Sequence, residues 1–108
     1  MVEISQEINN IIGEYISDIQ KYMKVEKAFV YGSYAKGNNN EYSDIDIAIF
    51  SDGFINQSFV ESVSFLFSIA RKYKDTSIEP VAFTLSDLQN DNPFVNEIIA
   101  TGREIPVN

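Results

Sequence analysis

The spacing of hydrophobic residues predicts a helix and two strands in the first half of the chain. Isoleucine, tyrosine and methionine recur every three or four positions over Ile4–Met23, which is typical of an amphipathic helix. Val25–Tyr31 is a short apolar run ended by Gly32 and predicts a buried strand. Apolar and polar residues then alternate over Ser43–Phe50, so a second strand is expected there, with its isoleucines on one face and its aspartates on the other.

The second half continues the alternation of helices and strands. Ser58 followed by Glu61 is typical of a capping box, which predicts a helix beginning there and running to about Tyr73. Three further elements are predicted: a strand over Thr76–Phe83, a short helix at Ser86–Gln89, and a helix that begins at Asn92-Pro93 and ends at Gly102. This order predicts an α/β (α+β) fold, a small mixed β-sheet with helices packed on it, and 108 residues fit one domain, 1–108.

The helix that begins at Ser58 has an apolar face wider than packing on one sheet face requires. Its apolar residues cover about half of the circumference at 100° per residue, and Phe65 projects beyond that arc. They are Phe59, Val60, Val63, Leu66, Phe67, Ile69, Ala70 and Tyr73. Two interpretations stay open: a protein interface, or packing between the sheet and the N-terminal helix.

Composition excludes several kinds of chemistry. The chain has no cysteine and no histidine, so thiol catalysis, zinc thiolate sites and histidine-based hydrolase triads are absent. Carboxylates, hydroxyls, lysines and arginines remain, with Mg²⁺ as their natural helper. The net charge of −8 argues against stand-alone nucleic-acid or membrane binding. With no signal run and no long apolar stretch, we expect a soluble cytoplasmic protein.

Two short motifs carry candidate chemistry. Gly32-Ser33 ends a strand and opens a helical turn, which leaves free amides suited to a phosphate, although such a junction is often only a turn. Asp44 and Asp46 lie two apart on a strand, so their carboxylates point to the same face. A lone Asp-x-Asp also fits a solvated strand face. If the two strands run antiparallel as neighbours, both motifs share one cleft.

Together, these motifs resemble the signature of the polymerase-β-like nucleotidyltransferase superfamily, and most closely its minimal nucleotidyltransferase family. The matching run is GSYAKG, five residues, then SDIDIAI. The positions that match are Gly32, Ser33, Gly37, Ser43, Asp44 and Asp46. The resemblance implies that these residues belong to a metal–triphosphate cleft.

The resemblance also implies a third carboxylate on a later strand, for which Glu79 is the best candidate. The family more often has aspartate here, so the second metal is expected to be held differently or weakly. Pro80 places this point at an edge or strand end. Asp75 is a poorer alternative, and an edge glutamate serving only solubility is the remaining one. Lys36 occupies a position where relatives often carry a basic residue, which implies that it binds the triphosphate as a point charge; the alternative is a surface lysine on a short helix.

The implied activity is in-line nucleotidyl transfer with two Mg²⁺ ions, held by Asp44, Asp46 and Glu79, and ATP or another NTP as substrate. In the minimal family, the implied partner is a HEPN-domain toxin whose tyrosine accepts AMP, the chain acting as antitoxin. The alternative is an antitoxin that neutralises its partner by contact with little catalysis. A cation- or nucleotide-binding scaffold is a third hypothesis. A homo-oligomer is compatible with the sequence. Tyr34 and Tyr42 are expected beside the cleft, where they stack on a base or cover the loop.

Overall fold

The computed structural model describes residues 4–36, 44–74 and 76–107, and its elements follow the predicted order closely. Five α-helices are present in these residues: α1 (Gln6–Gln20), α2 (Ser33–Lys36), α3 (Phe59–Ala70), α4 (Ser86–Gln89) and α5 (Pro93–Thr101). The strands there are β1 (Lys27–Tyr31), β2 (Ile45–Phe50), β3 (Ile78–Phe83) and β4 (Arg103–Ile105). The fold class is the small mixed sheet with packed helices that the sequence predicts.

The local signals mark the ends of the helices as expected. Ser58 and Glu61 form the complete capping box at the start of α3. The Asn92 side chain accepts from the amides of Phe94 and Val95, which begins α5 at Pro93. Two elements were not predicted: strand β4, and a short 3-10 helix at Asp52–Phe54. Both are three residues long, too short for a periodic pattern to develop.

The sheet has the order β3-β2-β1-β4. β1 runs antiparallel to β2 and to β4, while β2 and β3 are parallel. The parallel pair requires a crossover, which α3 provides. Since β3 lies at an edge, the expectation drawn from Pro80 is confirmed.

One face of the sheet carries the larger core. Ile45, Ile47 and Ile49 are all buried on this face, and α1 and α3 cover it. Leu66, at 0% exposure, lies at the centre of the α3 contact. The packing interpretation of α3 is therefore confirmed for its central and C-terminal turns.

The opposite face carries a smaller, aromatic core under α5. Its strand residues are joined by ring contacts, with centroids 5.9 Å apart for Phe29 and Phe50 and 5.0 Å for Phe50 and Phe83. Val95 and Ile98 of α5 complete this cluster. The second core covers only the middle of the face and leaves the end beyond Ala48 to polar residues. In the described part of the chain, no helix is both long and apolar enough to cross a membrane.

Candidate nucleotidyl-transfer site

A row of polar side chains crosses three strands at one end of the aromatic face. Tyr31 of β1 is the register partner of Asp46 of β2, and Asp46 is the register partner of Glu79 of β3. Register partners on adjacent strands place their side chains on the same face, with the strands about 4.8 Å apart. The parallel pairing of β2 and β3 therefore brings together two of the three predicted carboxylates, Asp46 and Glu79. The antiparallel pairing of β1 and β2 brings the end of β1 beside Asp46, as expected from the sequence.

The third carboxylate, Asp44, lies just before β2 and is exposed. It is close enough to act on Asp46: burial first, and then the like charges of Asp44 and Glu79, raise the pKa of the Asp46 carboxyl above its ordinary value. Three like charges facing one another are unfavourable, and a divalent cation among them would relieve that repulsion.

Gly32 makes the close approach at Asp46 possible. Its φ of 71° is a left-handed conformation that residues with a Cβ rarely adopt. A Cβ at this position would also overlap the Asp46 carboxylate. Glycine is thus required twice here, once by the backbone turn after β1 and once by the side chain beside it.

Ser33 begins the short helix α2 directly after this turn and is half-buried. The first amides of a helix lack partners within the helix, so this junction offers donors at the edge of the carboxylate row. Lys36 is the last residue of α2. Gly37, Tyr42 and Ser43, together with the alternative carboxylate Asp75, lie outside the described residues.

Tyr34 does not flank the cleft. It is 8% exposed and belongs to the larger core, so the expectation that it stacks on a base or covers the loop is wrong. On the four-residue helix α2, the side chain of the second position turns toward the core. The sequence placed Tyr34 near the motif but carried no information about the direction in which α2 leaves the sheet.

Tyr31 is the site residue that the sequence pattern missed. Burial, with Asp46 and Glu79 as lesser causes, raises the pKa of its phenol to about 12, so it stays a hydrogen-bond donor at neutral pH. Its ring contacts Phe94 edge-on at 5.8 Å, and Phe94 contacts Phe83 at 5.9 Å. The only available signal was its position immediately before Gly32 at a strand end.

A cavity of about 210 Å³ opens beside Tyr31 and Gly32. Phe94, Glu97, Ile98 and Thr101 of α5 form its other walls. This is smaller than the roughly 300–1,000 Å³ of a typical small-molecule pocket, so it has room for one ring or one side chain.

The donor set of the row fits a hard divalent cation in its chemistry, because carboxylate oxygens are the ligands that Mg²⁺ prefers. Asp46 and Glu79 would hold it from neighbouring strands, with Asp44 at the mouth. Within residues 4–36, 44–74 and 76–107, however, no three acidic side chains are already arranged as a metal-binding group. The ligand roles of Asp44, Asp46 and Glu79 therefore stay predictions.

The match to a family model decides the class of protein. Residues 13–107 match the model described as polymerase beta, nucleotidyltransferase. The chain belongs to the polymerase beta nucleotidyltransferase family. It is a nucleotidyltransferase, as the resemblance implied, and the mixed sheet is the fold of that family. No curated protein matches the chain.

Solved structures share this fold. A protein of Sulfolobus solfataricus assigned as a nucleotidyltransferase has a TM-score of 0.64 at 15% identity, covering 77% of this chain and 72% of its own. A toxin–antitoxin structure with AMP-PNP has a TM-score of 0.65 at 19% identity, covering 93% and 73%. A mutant of the toxin–antitoxin pair MntA-HpeT, with two aspartates two positions apart changed to glutamate, has a TM-score of 0.64 at 17% identity, covering 93% and 73%. At these identities, what is shared is the fold.

Proposed function

We propose that the chain transfers AMP from Mg-ATP to a hydroxyl of a protein partner, and that this partner is a HEPN-domain toxin whose tyrosine accepts the nucleotide. The observation that carries the proposal is the row of Asp46 and Glu79 in register, with Asp44 beside them and the Gly32-Ser33 turn at its end. The comparison with a toxin–antitoxin structure holding AMP-PNP supports ATP as the nucleotide and a toxin as the partner.

The proposal gives each of these residues a separate role. Asp44, Asp46 and Glu79 would hold Mg²⁺, which supplies charge neutralisation for the triphosphate and a lower pKa for the accepting hydroxyl. The amides at Gly32-Ser33, with the Ser33 hydroxyl and Lys36, hold the terminal phosphates. Gly32 keeps the phosphate turn and the Asp46 carboxylate in contact, because any larger residue would separate them.

In-line transfer fixes the direction of the reaction across the sheet. The pyrophosphate leaves toward the turn after β1, where the phosphate donors lie. The accepting oxygen would attack from the opposite side of the phosphorus, and we assign that side to β3 because β3 and β1 flank β2 on opposite sides. With no histidine in the chain, a carboxylate of the row receives the proton of the accepting hydroxyl.

The test measures Mg-ATP binding and label transfer separately. We expect the chain to bind Mg-ATP and to label a co-purified HEPN toxin from α-labelled ATP, and Asp44→Asn or Asp46→Asn to abolish labelling without unfolding. Glu7→Gln, an exposed acid on α1, is the matched control and should label normally. Labelling that persists in either aspartate variant would disprove the assignment.

A second candidate is an antitoxin that acts by contact alone. Two observations favour it: glutamate stands where the family more often has aspartate, and the described acids do not form a ready metal-binding group. An antitoxin of this kind would protect against its toxin equally well after the substitution Asp46→Asn. Loss of protection in that variant, with the complex still formed, would exclude this candidate.

A further inference from the structure

The edge of the sheet beyond Glu79 carries an unpartnered groove between α3 and β3. At one end, a cavity of about 130 Å³ is lined by residues that include Phe59, Ser62, Ala82, Phe83 and Asp87. At the other end, a cavity of about 210 Å³ is lined by residues that include Phe67, Arg71, Lys74, Ser77 and Glu79. The two cavities share no lining residue, but both lie along the side of α3 next to β3. We call the two cavities and the stretch of α3 and β3 between them the α3–β3 groove.

An apolar stripe on α3 follows the groove. Phe59, Val63 and Phe67 are four residues apart and therefore lie along one side of the helix. Phe59 is 64% exposed and its neighbour Val60 is 71% exposed, while Val63 and Phe67 are half-buried. This is the part of the wide apolar face that packing against the sheet and α1 leaves open. Large apolar side chains grouped at such a surface mark an interaction site.

The backbone of β3 disfavours a strand as the occupant. Ser77 and Phe83 accept hydrogen bonds from the amides of Ile45 in β2 and of Ser51 just after it, at 2.7 and 2.9 Å. Ladder bonds alternate along a strand, so residue 80, at an odd distance from both, faces the open edge. That residue is Pro80, which has no N–H to donate, and an added strand would meet a gap there.

Charge is distributed unequally along the groove. Arg71 and Lys74 lie at the Glu79 end, and Asp87 lies at the Phe59 end. The whole chain carries a net charge of −8, so a second copy or a long phosphate backbone would be repelled, whereas a segment of opposite polarity would fit.

We propose that the α3–β3 groove docks a helix of the protein acceptor and delivers its hydroxyl to the carboxylate row. This rests on the proposed function, which assigns in-line attack to the β3 side, where the groove ends at Glu79. The docked helix has an apolar face against Phe59, Val63 and Phe67. It carries acidic residues next to the accepting tyrosine, facing Arg71 and Lys74, and basic residues at its other end, facing Asp87.

A synthetic helix of defined polarity provides the probe. It is an amphipathic peptide of about 15 residues, close to 22 Å long, with a tyrosine and two glutamates in its last turn and two lysines in its first. We expect titration with Mg-ATP present to shift the backbone amide signals of residues 59–67, 78–79 and 81–83. Shifts confined to other elements, such as α1 or α5, or no binding at all, would overturn the proposal.

Matched variants separate docking from folding. Phe59→Lys is expected to weaken peptide binding about tenfold or more. Tyr22→Lys is the control, because Tyr22 is an aromatic of similar exposure, 66%, that contacts Phe65 on another side of α3. Arg71→Glu should weaken binding of the original peptide, and a peptide with lysines in place of the glutamates should restore binding to this variant. Equal binding to all three variants, tighter binding of a single-stranded RNA, or dimerisation through the groove would each contradict the proposal.

Transfer of label from ATP to the peptide tyrosine is read separately. Binding in the groove without labelling, by a chain that also fails to label a HEPN toxin, would overturn the proposed function and leave the docking site standing. Labelling unaffected by Phe59→Lys and Arg71→Glu would overturn the groove and leave the function standing.

Discussion

The two faces of the sheet are built from alternate residues of the same strands, yet they have different roles. On β2, Ile45, Ile47 and Ile49 are buried beneath α1 and α3. Their neighbours begin with the half-buried Asp46 and continue to the buried Ala48 and Phe50 under α5. The isoleucine face, which we call the apolar face, stabilises the strands. The resulting rigid sheet holds the charged side chains at one end of the other face. Carboxylates that repel one another stay side by side only on a rigid support, which the packed sheet provides here.

The largest effect is expected from Asp46→Asn, which acts on the chemical face alone. Loss of a metal ligand should reduce transfer by more than about a hundredfold, since even loss of a supporting residue costs roughly 10–100-fold. The same variant should be more stable than the natural chain at neutral pH without metal. Because folding raises the pKa of Asp46, its contribution to stability is present below the ordinary aspartate pKa and is lost as pH rises through the raised value.

Thermal melts of both proteins from acid to neutral pH, together with label transfer, check this. The difference in stability should disappear below the ordinary aspartate pKa. A natural chain more stable than Asp46→Asn at neutral pH without metal would mean that the row is not repulsive.

Ile47→Ala is the matching change on the apolar face. Ile47 is 0% exposed, so removing its side chain leaves a cavity and should lower the free energy of unfolding by about 2–5 kcal/mol. Urea titration measures this, and Ile47→Val should cost only about 0.5–1.5 kcal/mol. Transfer per folded molecule should stay near normal. A loss of transfer in fully folded Ile47→Ala would show that the two faces are not separable.

Gly32→Ala tests the contact between the phosphate turn and the carboxylate row. The new Cβ would meet the Asp46 carboxylate in a left-handed backbone, at a conformational cost of about 1–2 kcal/mol. We expect weaker Mg-ATP binding by isothermal titration and a modest loss in melting temperature. Gly13→Ala is the control, because a Cβ at Gly13 meets nothing within 4 Å, and this change should stabilise α1. Unchanged Mg-ATP binding in Gly32→Ala would argue against a phosphate site at this turn.

The smallest effect is expected from Tyr73→Phe, in the layer of helices outside the apolar face. The Tyr73 hydroxyl donates to Asp18 at 2.6 Å, and this bond, with Lys21, lowers the pKa of the Asp18 carboxyl. The stability it adds is present above the ordinary aspartate pKa and is lost as pH falls through the lowered one. Tyr73→Phe should therefore flatten the acid limb of a stability profile and leave transfer unchanged. An unaltered acid limb would contradict this assignment.

Much of the site could be predicted from local sequence because its parts are close together in the chain. Gly32, Ser33, Asp44 and Asp46 lie within 15 residues, and one antiparallel pairing brings Tyr31 beside Asp46. The family resemblance implied a third carboxylate on a later strand, and Pro80, whose missing N–H pointed to an edge strand, favoured Glu79 for it. Tyr31 was missed because the local sequence around a tyrosine at a strand end does not reveal which residue of the adjacent strand lies beside it.

The sequence by itself determined the longer elements, their order and the class of protein, since periodicity, caps and motifs are properties of short segments. Only the tertiary structure decided the register that aligns Asp46 with Glu79, the turning of Tyr34 into the core, and the addition of β4. It also decided which part of the wide face of α3 stays open, because Leu66 and Ile69 are covered by the sheet and α1 while Phe59 and Val60 are not. These outcomes depend on contacts between segments far apart in the chain, and no local pattern encodes such contacts.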